Sequence, residues 1–96
     1  MRILALETEK AVPTGGFPES CLREEALRVW ELYQSGALRE IHFRTDRSTA
    51  VLLLECRDEA DAASILQTLP LVEKGMISFE IIPLKPYPGL ARLFRR

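Results

Sequence analysis

The chain has 96 residues, with thirteen Lys and Arg against fourteen Asp and Glu, and a formal charge of -1 when its single His is neutral. That length predicts one domain, 1–96, with a hydrophobic core of thin margin, for which self-association is a cheap route to further burial. Balanced charge argues against a basic footprint for nucleic acid or an anionic membrane, and neither a bilayer-spanning apolar run nor a secretory signal pattern is present, so the expected setting is soluble and cytoplasmic.

Arg2 to Leu6, RILAL, reads as an opening strand from which Glu7 departs. The next stretch, TEKAVPTGGFPE, is punctuated by Pro13, Gly15, Gly16 and Pro18 and reads as a loop. From Glu19 the period changes: Leu22, Ala26, Val29 and Tyr33 recur at helical steps, widened by Trp30 and Leu32. Pro18 suits the first helical turn, Glu19 its positive end, and Gly36 a left-handed exit after Ser35. In LREIHFRTD, Ile41 and Phe43 share one side of an extended chain, with Glu40, His42 and Arg44 on the other. The polar TDRST turn, Thr45 to Thr49, joins this strand to VLLLEC, whose two faces are both apolar.

Asp58 then reads as a helix N-cap with Asp61 at the third helical position, followed by the stripe Ala62, Ile65, Leu66 and Leu69. Pro70 ends or kinks that helix. After Gly75, Ile77, Phe79 and Ile81 alternate with Ser78, Glu80 and Ile82 in a last strand. Pro83, Pro86 and Pro88 stop the ladder. Leu84, Tyr87, Leu90, Leu93 and Phe94 give the tail, 84–96, enough apolar surface to pack as an arm. Arg92, Arg95 and Arg96 read as a solvated positive terminus. Cys21 and Cys56 are too few and too far apart for a disulfide framework or a metal site, and are expected as small packed thiols.

The order strand, helix, strand, strand, helix, strand predicts an α+β domain, a ferredoxin-like βαββαβ sandwich with a packed C-terminal arm. Its helices cover one sheet face. The other requires the arm, a second copy, or both.

The runs EALRVWELYQSGALREIHF, LLLEC, the Leu69–Pro70 pair and FEIIPLKPYPGLARLF resemble the muconolactone delta-isomerase-like proteins of the dimeric α/β-barrel superfamily. The likeness covers nearly all of the chain after the first loop. It implies a homodimer or larger homo-oligomer that forms a dimeric α/β barrel. It also implies a pocket for a small organic acid or lactone, with part of the wall lent by a neighbouring chain.

Isomerisation of a carboxylated lactone needs a base for a carbon-bound proton and an acid to return it, and needs no metal or organic cofactor. Strand alternation nominates Glu55, His42 and Glu80 as catalytic candidates. Burial beside Val51 and Leu53 is expected to raise the proton affinity of Glu55. The bland reading makes Glu55 a paired or edge carboxylate, His42 an exposed imidazole, and Glu80 a partner for Arg44 or Lys85. Arg44, Tyr33 and Tyr87 are the substrate-binding candidates, against a solvated hairpin tip for Arg44. No histidine cluster, paired-cysteine motif or phosphate loop appears, so no metal or cofactor is expected. The alternative function is a noncatalytic small-molecule-binding or assembly protein. A regulator with a macromolecular partner is a third reading.

Overall fold

The computed structural model describes residues 1–95; Arg96, the end of the predicted positive terminus and arm, lies outside them. Along the chain run β1 (Arg2–Glu9), α1 (Glu19–Ser35), β2 (Leu38–Phe43), β3 (Ala50–Glu55), α2 (Glu59–Gln67), the single turn α3 (Pro70–Glu73) and β4 (Ile77–Pro83). A 3-10 segment, Pro88–Phe94, follows. The strands form one antiparallel sheet in the order β2-β3-β1-β4. This is the α+β ferredoxin-like arrangement expected from the element order.

Local chemistry accounts for the boundaries. Gly36 closes α1 at φ 86°, a backbone region that disfavours side chains with a Cβ, and its N–H donates to the Tyr33 carbonyl. Asp58 caps α2 by accepting from the Asp61 N–H at 2.8 Å, while Asp61 accepts from the Arg57 N–H at 2.9 Å, a reciprocal cap reaching one residue further back than expected. Two proline readings shift. Pro18 is the N-cap of α1 and lies outside its first turn, and Pro70 opens α3, where its missing N–H costs no helical bond.

Strand alternation separates two faces. Ile3, Ala5, Ala50, Leu52 and Leu54 are buried toward the helices, where Leu32, Ala62, Leu66 and Leu69 meet them, and Ile77 packs beside them with Cys21 and Leu71. On α1 the buried positions are Cys21 and Leu32, whereas Leu22, Trp30 and Tyr33 of the predicted stripe are exposed. The opposite sheet face carries no helix. There, register aligns Glu40, Leu53, Leu4 and Ile82 across the sheet, and beside them His42, Val51, Leu6 and Glu80. A stripe of aliphatic side chains thus runs through the centre of the open face, with polar groups at its edges.

The arm does not pack on its own domain. Tyr87, Leu90, Leu93 and Phe94 are all largely exposed, the last at 83%. The radius of gyration is 15.8 Å, against roughly 12.5 Å for a compact chain of this length. An extent of 61 Å along the longest axis shows where the excess lies. Within the arm, Tyr87 folds its ring over Gly89, where any side chain would collide with it.

Candidate functional site

The helix face of the sheet is not completely filled. Between α1, the sheet and the loop that follows β1 lies a cavity of about 640 Å³, within the usual range for small-molecule sites. Val29 and Ala26 of α1 form one wall, and Ile41, Leu52 and Phe79 of the sheet form the other. Val12 and Phe17 from the loop stand at its margin. The loop turns back there through a Gly16 N–H to Pro13 carbonyl bond of 2.9 Å, with Gly15 at φ 87° in the position that requires a left-handed residue.

Two carboxyl groups face this apolar space from opposite walls. Glu7 continues the inward register of Ile3 and Ala5, and its Oε1 accepts the Ala50 N–H at 3.0 Å. Glu25 lies one helical turn from both Cys21 and Val29, and its Oε1 accepts the Leu71 N–H at 3.0 Å. That amide belongs to the first turn of α3, which has no side-chain cap of its own, so Glu25 satisfies it from a different helix. Each carboxyl is therefore tethered through one oxygen.

Desolvation raises the proton affinity of both above the ordinary carboxylate value, and the backbone bond opposes that rise in each case. Glu9 adds to the effect at Glu7, and the charge of Glu7 adds to it at Glu25. A pair of half-buried carboxyls biased toward protonation in an apolar cleft is suited to exchanging protons with a bound molecule. Ser48 supplies a hydroxyl to the same lining.

The residues nominated from sequence lie elsewhere and do not converge within one chain. Glu55 pairs with the N-terminal amine at 2.8 Å and with Arg2 Nε at 3.0 Å. Those bonds hold its carboxyl below the ordinary range, the reverse of the expected shift. It borders a separate groove of about 470 Å³ with Leu53, Leu84, Lys85 and Pro86. His42 is exposed on the β2 edge, 3.2 Å from Glu40. Glu80 is exposed on β4 in the same cross-strand row, three strand spacings or about 14 Å away. Arg44 forms a bidentate pair with Asp46 at 2.9 and 2.7 Å and makes no pair with Glu80. Tyr33 stacks on Trp30, centroids 6.3 Å apart, on the outer side of α1. Tyr87 projects with the arm.

Sequence reasoning passed over Glu7 and Glu25. Ending the first strand at Leu6 removed Glu7 from the inward register, although Ile3, Ala5 and Glu7 share a parity. Choosing Leu22 and Tyr33 as the buried stripe turned Glu25 outward. An acidic residue one helical turn from both Cys21 and Val29 was the signal available.

No family model and no curated protein matches the chain. Among solved structures it is similar to muconolactone isomerase, with a TM-score of 0.78 at 17% identity over 93% of each chain. It is also similar to a 5-chloro-2-hydroxyhydroquinone dehydrochlorinase from Burkholderia phenoliruptrix, solved with 2,5-dihydroxybenzoquinone. That match has a TM-score of 0.63 at 13% identity, over 93% of this chain and 98% of the other. The chain has the muconolactone isomerase fold. Among the described residues, no helix is long and apolar enough to cross a membrane, and no cluster of His, Cys, Asp and Glu is suited to a metal ion.

Proposed function

We propose that this protein is a homo-oligomeric, isomerase-like enzyme that moves a proton within a small unsaturated lactone or related ring compound bound between α1 and the sheet. The observation that carries the proposal is the apolar cavity holding two tethered carboxyls with raised proton affinity. The fold shared with muconolactone isomerase supports the reaction class.

Glu7 takes the role of base. Its charge favours the protonated form of Glu25, which takes the role of acid. The carboxylate of Glu7 removes a proton from the sp3 γ-carbon of the conjugated lactone, and the electron pair moves into a dienolate. Glu25 then delivers its proton to the α-carbon beside the carbonyl, which shifts the double bond out of conjugation. Proton exchange with solvent resets the pair. Ser48 is the hydroxyl in the lining that can donate to the developing enolate oxygen.

A second copy covers the open sheet face. Leu4, Leu6, Val51, Leu53 and Ile82 form an aliphatic stripe without a covering layer in the single chain, and the projecting arm adds further unpaired apolar surface. Glu55, His42 and Glu80 belong to that face and its edges, and are assigned to pairing and its polar rim.

The reaction is tested by incubating the purified protein with unsaturated five-membered lactones and following the double-bond shift by NMR. Glu7→Gln is expected to lower kcat by about 10²–10⁴-fold with binding retained. Full turnover by Glu7→Gln rejects the assignment.

A further inference from the structure

We infer that the cavity between α1 and the sheet selects uncharged ring compounds and turns away their carboxylate counterparts. The inference rests on the reading of this cavity as the ligand site and narrows its substrate class. All ionisable groups along the lining are acidic: Glu7, Glu9 and Glu25. Among the described residues, no Lys, Arg or His borders it.

Three cations of the surrounding elements are committed to other groups. Lys74 contacts Cys21 Sγ at 3.2 Å and Glu24 at 3.7 Å, while Arg28 bonds Thr68 and Glu31. Arg44 is held by Asp46 at the hairpin tip. An entering carboxylate would lose its hydration in an apolar cleft, meet no counter-charge, and approach a lining whose ionisable groups are all acidic.

A neutral lactone or quinone-like ring avoids those costs. Its carbons replace water against Val29, Ile41 and Phe79, and its carbonyl accepts from a protonated carboxyl or from Ser48. The cationic groups that would welcome a carboxylate, the N-terminal amine, Arg2 and Lys85, border the separate groove beside Glu55.

Two probes with one skeleton separate these cases: an unsaturated five-membered lactone carrying an acetic acid side chain, and its methyl ester. Isothermal titration calorimetry is run on the full chain, on Glu7→Gln/Glu25→Gln, and on Ala26→Phe, which fills the cavity from an exposed position at its margin. The expected result is ester binding at least about tenfold tighter than acid binding, with the ester-to-acid ratio falling to within about threefold in the double variant. Ester binding is lost in Ala26→Phe. Acid binding as tight as that of the ester, and lost in Ala26→Phe, overturns the selectivity while leaving the cavity as the site. Binding of every probe undiminished in Ala26→Phe, or absent in the unaltered chain, overturns the cavity reading and this inference together.

Discussion

Glu25 on α1 accepts the backbone N–H of Leu71, 46 residues further along the chain, at 3.0 Å. One carboxyl thereby caps α3, bridges two helices, and borders the cavity. Burial raises its proton affinity, and the neighbouring charge of Glu7 raises it further.

A pH dependence of stability follows from the two cavity carboxyls. In the unfolded chain both titrate near 4.5, and in the folded protein both titrate higher. Their contribution is fully present below the unfolded value and is lost as pH rises through the folded ones. Glu7→Gln/Glu25→Gln removes that loss. Urea midpoints are therefore expected to fall less between about pH 4.5 and pH 7 in the variant than in the unaltered protein. An identical fall in both contradicts the burial of these groups.

Glu55 behaves in the opposite sense, because the N-terminal amine and Arg2 favour its ionised form. Glu55→Gln is expected to leave cavity binding and turnover intact, with a small loss of thermal stability at neutral pH. Both parameters are measured on the same preparation as Glu7→Gln. A larger fall in turnover for Glu55→Gln than for Glu7→Gln would return the catalytic role to Glu55.

Leu53 and Leu54 are adjacent in sequence and face opposite ways. Leu54 is fully buried under the helices, so Leu54→Ala is expected to cost about 2–5 kcal/mol of folding stability. Leu53→Asp is expected to leave the single-chain fold intact and to break association through the open face. Sedimentation velocity and circular dichroism distinguish the two. Unchanged association for Leu53→Asp contradicts pairing through that face.

Removal of residues 86–96 keeps the Leu84 N–H to Arg2 carbonyl bond that closes β4 on β1. The truncated chain is expected to keep its far-ultraviolet spectrum but to form smaller or weaker assemblies. Full-sized assemblies from the truncated chain would show that the arm's apolar surface has no role in association.

The sheet, both main helices and their order were legible because each element carries its own period and punctuation: the αL Gly36, the Asp58 cap, and the alternation from Ile77 to Ile82. The site was less so. Cys21, Glu25, Val29 and Leu32 alternate small, acidic and aliphatic groups, so the inward side of α1 has a weaker hydrophobic signature than its exposed Leu27, Trp30 and Tyr33 side. Helical periodicity then points at the larger apolar residues, although those cover no core in the single chain. Glu7 shows the same difficulty on a strand: its inward position depends on how far β1 extends, and pairing with Phe79 and the neighbouring β4 residues sets that length. The arm's apolar content was visible, but composition does not say which molecule covers it.

Hydrogen exchange at the ligand tests the account most directly. An α,β-unsaturated five-membered lactone is held with the protein in D2O, and loss of its γ-carbon ring proton is followed by NMR. Protein-dependent exchange that disappears in Glu7→Gln and persists in Glu55→Gln is the predicted result. Exchange unaffected by Glu7→Gln, or none above the protein-free rate in the unaltered protein, would contradict proton transfer at this cavity.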